Sequence, residues 1–190
     1  MEISTEISEI ILNIARDVVR SCVVGGEFQR PDLAHYPQLT QPAGCFVSLH
    51  HRDSHALRGC IGMLQSDRPL IETLQGSAQS VLKDPRFTHD PVTAQELPHL
   101  DIEVTIVHPM QPAPSPLEFE PKTQGIFLTV AGHTGCFLPQ VARDTGWTRE
   151  QLLARLCTEK LGLGADAWRH PSAVLQTFSV EVIGPGPLLI

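Results

Sequence analysis

The chain reads as an α+β protein with a mainly antiparallel sheet, in which hairpin-connected strands are interspersed with flanking helices. Three observations predict this. Residues 100–107 (Leu-Asp-Ile-Glu-Val-Thr-Ile-Val) alternate cleanly, with Ile102, Val104 and Ile106 on one side and Asp101, Glu103 and Thr105 on the other, as a sheet with one face on a core requires. Residues 4–22 carry Ile7, Ile10, Ile11, Ile14, Ala15, Val18 and Val19 at three- and four-residue steps, the period of an amphipathic helix. Short strand-like runs separated by turn residues recur between such helical segments, a hairpin-and-helix pattern rather than a parallel βαβ series.

Taken in order, the first helix has Glu6 and Glu9 in its opening turns and ends at Gly25-Gly26, as acidic helix starts and glycine stops predict. Residues 27–44 hold Pro31, Pro37 and Pro42 and read as a long surface loop. Residues 45–50 and 56–62 are strand-like and are split by His51-Arg52-Asp53-Ser54-His55, which predicts a hairpin. Residues 66–83 form a helical pattern, with Pro69 near its start and Asp84-Pro85 as its stop. The five prolines within residues 108–122 make that stretch a connection. A second hairpin is expected from 125–130 and 136–138, turning through residues 131–135. Thr148 and Gln151 form a capping box before Leu152, Leu153, Leu156, Cys157 and Leu161, and Gly162 ends that helix. Residues 174–182 supply the last strand.

Composition sets limits on function. A length of 190 residues suits one domain over 1–190, with room for a small lobe. The net charge of −7 and scattered basic residues give no electrostatic footprint for nucleic acid, so direct nucleic-acid binding is not expected. The N-terminus lacks the basic and apolar regions of a secretory signal, and no apolar run reaches bilayer length; a cytoplasmic protein with no membrane partner is the expectation. Cys22, Cys45, Cys60, Cys136 and Cys157 lack metal-ligand spacing, and His51 and His55 fall on a turn rather than one helix face. No metal and no cofactor are therefore expected.

The chemistry-bearing stretch is Leu57-Arg58-Gly59-Cys60-Ile61-Gly62. In an extended strand Arg58 and Cys60 share a face, a nearby cation favours the nucleophilic thiolate, and Gly59 and Gly62 allow close approach. The competing reading makes Cys60 a small buried hydrophobe and Arg58 a surface cation. Ser48 and His50 have the parity to join Cys60 if the hairpin register aligns them, with His50 as a base for the thiol. Glu103 is the third catalytic candidate, as general base or as counter-ion to Arg58. An Arg58–Glu103 hydrogen bond of about 2.7 to 2.9 Å, or a pocket between the two beside Cys60, is the geometry this predicts. In Asp84-Pro85-Arg86-Phe87, Pro85 stops the helix, Phe87 packs and Arg86 pairs with a carboxylate; Arg86 and Gln140 complete the candidate binding residues.

The hexapeptide resembles the signature of the AMMECR-type family, whose prokaryotic members are known as AmmeMemoRadiSam system protein A. Gly44-Cys45-Phe46-Val47-Ser48-Leu49, Asp84-Pro85-Arg86-Phe87, residues 100–107, Gly135-Cys136-Phe137-Leu138-Pro139-Gln140-Val141-Ala142 and Gly146-Trp147 follow the family order across residues 8–183. Glu159-Lys160-Leu161-Gly162-Leu163 departs from the usual Lys-Ala-Gly-Leu. The resemblance implies the AMMECR-type fold and a setting with Memo-type and radical SAM proteins. It carries no assigned reaction. Two functions follow as expectations: a component that binds or modifies a small anionic or electrophilic molecule over Arg58, Gly59 and Cys60, or a non-catalytic interaction or regulatory module that docks through the signature strand.

Overall fold

The computed structural model describes residues 3–28 and 31–189. Met1, Glu2, Gln29, Arg30 and Ile190 lie outside it, and with them part of the N-terminal stretch and of the 27–44 loop. Among the described residues the chain order is α1 (Thr5–Val24), β1 (Gly44–His51), β2 (Leu57–Met63), α2 (Leu70–Ser80), β3 (Leu100–Val107), β4 (Gln111–Pro112), β5 (Gln124–Val130), β6 (His133–Phe137), α3 (Pro139–Thr145), α4 (Arg149–Leu156) and β7 (Val174–Pro187). The pairings β1–β2, β1–β3, β4–β7, β5–β6 and β5–β7 are all antiparallel. The α+β class expected from the sequence is the class observed.

The chain divides into two compact units, Met1–Val107 with Glu181–Ile190, and His108–Val180. The first carries strands in the order β2-β1-β3 followed by the later half of β7. Parity decides its layers. Cys45, Val47 and Leu49 of β1 and Leu100, Ile102, Val104 and Ile106 of β3 are completely enclosed. Ile11, Ala15, Val18 and Val19 from α1 and Leu70, Leu74 and Ala78 from α2 belong to the same core. Ser4 caps α1 by accepting from the Ile7 amide, which satisfies one of the orphan donors of a helix start. The buried Arg16 of α1 donates to the Pro187 carbonyl at 2.7 Å, and the Leu188 amide donates to Leu100. These two bonds tie Pro187 and Leu188 into the first unit.

The second unit pairs the earlier half of β7 with β5, and β5 with β6. Leu152, Leu153, Leu156, Cys157 and Leu161 pack with Ile126, Leu128 and Phe137. The capping box forms as the sequence predicts, with the Thr148 hydroxyl accepting from Gln151 and the Gln151 side chain accepting from Thr148. After Leu156 the helix widens into one π turn, Cys157–Leu161, and stops at Gly162.

Several elements differ from expectation. The 27–44 loop contains two short 3₁₀ turns, Leu33–His35 and Pro37–Thr40, and Leu39 within the second is fully buried. The proline-rich connection gives up Gln111 and Pro112 to a two-residue edge strand. Strand β6 begins at His133, three residues early, because Ala131 and Gly132 both take positive φ (49° and 83°) and close the hairpin as a tight two-residue turn. Strand β7 runs on to Pro187, and α3 was not anticipated.

Shortening a side chain on the enclosed face leaves a void, so Ile102→Ala is expected to cost about 2–5 kcal/mol. Met63→Ala, at the 47% exposed end of β2, should stay within about 0.5 kcal/mol. Urea unfolding of both variants checks the assignment of faces.

Candidate functional site

On the sheet face opposite the first core, the register draws three chemistries into one row. Cys60 of β2 lies across from Ser48 of β1, and Ser48 across from Glu103 of β3. The Cys60 amide donates outward to Asp84 at 2.8 Å, so Cys60 and Ser48 form the closer, non-hydrogen-bonded type of antiparallel pair. Two strand steps put the Cys60 and Glu103 backbones about 10 Å apart with Ser48 between them. His50 is two residues on from Ser48, and its imidazole is the basic group that acts on Glu103. Ser48 is buried, whereas Cys60, His50 and Glu103 are half-buried. Burial pushes the Glu103 carboxyl upward, opposed by the charge on His50. Among the described residues, Glu103 has no hydrogen-bonded or ion-paired partner of its own.

Arg58 does not join this row, which corrects the expected pairing with Glu103. The register between β1 and β2 shifts at Leu49/His50, so that Gly59 faces Leu49 and Leu57 faces His50, with Arg58 as the extra residue of a bulge. Its side chain is 4% exposed and fully engaged. Nε donates to the Glu96 carboxylate at 2.6 Å, and the terminal Nη2 donates to the Asp90 carbonyl at 2.6 Å and to Glu96 at 3.3 Å. The guanidinium also lies 5.6 Å from the centre of the Phe87 ring.

The cation beside Cys60 is instead Arg86. Its Nη2 donates to the Cys60 carbonyl at 3.4 Å, and its charge is close enough to be coupled to the Cys60 thiol. Arg86 is held by Asp84, whose carboxylate accepts from the Arg86 amide (3.0 Å), Arg86 Nε (3.0 Å) and Arg86 Nη2 (2.6 Å) as well as from Cys60. The Arg86 guanidinium, helped by the two backbone donors and opposed by burial, holds the Asp84 carboxyl far below the usual carboxylate range. The expected reading of Asp84-Pro85-Arg86-Phe87 is therefore met in full: proline stop, carboxylate–arginine pair and a packed half-buried phenyl ring.

The two signature glycines use their freedom against the protein itself. A Cβ at Gly59 would come within 2.9 Å of the Val81 carbonyl, so the turn that follows α2 can lie flat on β2. At Gly62 it would strike the Cys45 and Phe46 backbone. Gln140 stands in the first turn of α3, within the second unit, where its side-chain oxygen is buried without a partner. His51 and His55 flank the hairpin turn, and His55 takes φ 56°. Among the described residues, no three His, Cys, Asp or Glu side chains gather as a metal site.

Of the five thiols, Cys45 and Cys157 are buried, Cys60 and Cys136 are half-buried and Cys22 is exposed. Burial pushes Cys45 up to about 12 and raises Cys136 and Cys157 as well. Asp90 and Glu96, the partners of Arg58, were missed by sequence reasoning; they sit in an irregular stretch with no periodicity to mark them.

Fold and site together define an α+β protein whose thiol-bearing edge strand is closed by a carboxylate–arginine pair. The AMMECR1 family model matches residues 12–183, and the chain belongs to the AMMECR1 family. It is 32% identical over 189 residues to a protein of Thermococcus gammatolerans, covering 95% of this chain and 91% of that one. It is 34% identical over 176 residues to protein MJ0810 of Methanocaldococcus jannaschii, covering 88% and 85%. The crystal structure of the uncharacterized protein PH0010 from Pyrococcus horikoshii superposes with a TM-score of 0.81 at 30% identity, over 96% of this chain and 93% of that one. No described helix is long and apolar enough to cross a membrane.

Two opposite pH responses follow. Asp84, depressed in the folded state, contributes stability above the unfolded carboxyl value of about 4 and loses it as pH falls toward the folded value. Asp84→Asn should therefore lower the midpoint of urea unfolding at pH 7 and flatten the acid limb below about pH 4. Glu103, raised in the folded state, costs stability as pH rises through and beyond its ordinary value. Glu103→Gln should therefore unfold at or above the wild-type midpoint at pH 7.

Proposed function

We propose that this protein is a component of a Memo- and radical-SAM-associated system that binds or modifies a small molecule at Cys60. The observation that supports this most is the row Cys60–Ser48–Glu103, with His50 beside it. A thiol, a hydroxyl, a carboxyl and an imidazole converge on one sheet face with no metal-like clustering and no strong ion pair among them. In this reading Cys60 is the nucleophile or attachment point: its sulfur adds to the carbon of an electrophilic C=O or C=C bond of the ligand, the π electron pair moves onto the ligand, and the thiol proton leaves toward Glu103 or His50. Arg86 takes over the place first assigned to Arg58, as the guanidinium beside Cys60. Arg58 acts at one remove, by clamping the segment that carries Asp90 and Glu96. Gly59 and Gly62 set the shape of the strand, and Gln140 belongs to the second unit.

The second reading, a non-catalytic interaction or regulatory module, draws on the same clamp. With Arg58 enclosed and Met63 exposed on the same edge strand, the strand could act as a docking surface. The two readings separate on thiol chemistry. Sub-saturating iodoacetamide at pH 7 should label Cys60 and the exposed Cys22 before Cys45, Cys136 and Cys157. Arg86→Ala should slow Cys60 roughly 3–10-fold while leaving Cys22 unchanged. Intact-mass analysis after incubation with metabolite extract should show an adduct that is absent from Cys60→Ser. Labelling of Cys60 no faster than Cys45, together with no adduct, would favour the docking module.

A further inference from the structure

We infer that the ligand at the Cys60 row carries a cationic group, an amine being the simplest, and that Glu103 is its counter-ion. This rests on the reading of the row as a ligand site and changes the class of ligand that the signature's arginine suggests. An anion needs an uncommitted cation, and both candidates are committed. Arg58 is enclosed and bonded to Glu96 and to the Asp90 carbonyl, with the Asp90 carboxylate a further 3.6 Å away. Arg86 is matched by Asp84 at 2.6 Å. Asp101, on the same face of β3 as Glu103, is held by Arg52 at 3.0 Å, so around the signature strand and the row three guanidiniums face five carboxylates, Asp84, Asp90, Glu96, Asp101 and Glu103, and the local field is negative.

Within that set Glu103 is the carboxylate left over. Asp84 and Glu96 each hold an arginine, and Asp90 is 88% exposed to water. Glu103 is half-buried, in line with Ser48 and Cys60, and the basic group acting on it is the His50 imidazole, which unlike a guanidinium is not a permanent cation. A carboxylate that has given up part of its hydration without gaining a fixed partner binds a cation more strongly than one in open water. The Ser48 hydroxyl, which has no hydrogen-bond partner among the described residues, is placed to accept a second ammonium proton.

The probes are three methanethiosulfonates of similar size: aminoethyl (cationic), methyl (neutral) and sulfonatoethyl (anionic). Each is reacted with the folded protein, the rate at Cys60 is read by peptide mass mapping, and the value is normalised to the same reagent's rate with a small free thiol. The cationic reagent should modify Cys60 about tenfold faster than the anionic one, and Glu103→Gln should reduce that ratio to below about threefold. A faster anionic reagent, or a ratio untouched by Glu103→Gln, overturns the inference while leaving a reactive Cys60 intact. Amide chemical shifts of Ser48 and Glu103 in Cys60→Ser, titrated with n-butylammonium or butyrate, supply the measurement that does not need the thiol. Movement with butylammonium that disappears in Cys60→Ser/Glu103→Gln upholds the cation site even where no reagent labels Cys60, which would sink the thiol reading alone. Movement with butyrate only, or with neither, overturns the cation site.

Discussion

The Asp84 carboxylate is the point on which the first unit's functional edge depends. An edge strand presents unpaired amide and carbonyl groups that must be answered by water, by another chain or by a side chain. At Cys60 the answer is local: Asp84 takes the amide and Arg86 reaches the carbonyl. Because the same carboxylate also caps the turn Pro85–Phe87 by accepting from the Arg86 amide, one residue ends the helical segment, orients the arginine and fixes the peptide that carries the thiol. Proline at position 85 has no amide hydrogen to compete for those oxygens. Phe87 then lies within cation–π range of both Arg86 and Arg58, which joins the edge closure to the buried Arg58 clamp.

How far the sequence reveals this varies with the range of the interaction. Strict alternation at 100–107 places the core face of β3 correctly, and parity sets Ser48, Cys60 and Glu103 each opposite the apolar residues of its own strand, but the register that brings the three into one row is a property of the paired strands and is not written in any one of them. The Asp84–Arg86 pair is two residues apart and equally legible. Arg58 is not. A bulge at Leu49/His50 resets its position, and its partners lie 32 and 38 residues downstream, at Asp90 and Glu96, in a segment without helix or strand period. Proline-rich and very short elements fail for a related reason: Gln111–Pro112 and the seven-residue α3 are held by their neighbours rather than by a repeating pattern of their own.

Charge partition explains why a signature containing arginine need not mark an anion site. A guanidinium that is nearly enclosed and bidentate to a carboxylate is a structural joint, since removing either partner strands the other without water. The exposed cation beside the thiol is itself balanced within its own turn. The electrostatic character of the row is therefore set by its acids. Ser48 and Cys60 contribute shape and reactivity.

Strand β7 gives residues up to Val180 to one unit and residues from Glu181 to the other, with Ile183 and Leu188 in the first core. The first unit is thus assembled from two segments that flank the second. During synthesis residues 108–180 emerge as one uninterrupted stretch, and the neighbour of β3 follows them. The whole of 108–180 must therefore leave the ribosome before the sheet carrying Cys60 gains the strand beside β3, and until then the thiol row lacks its finished setting.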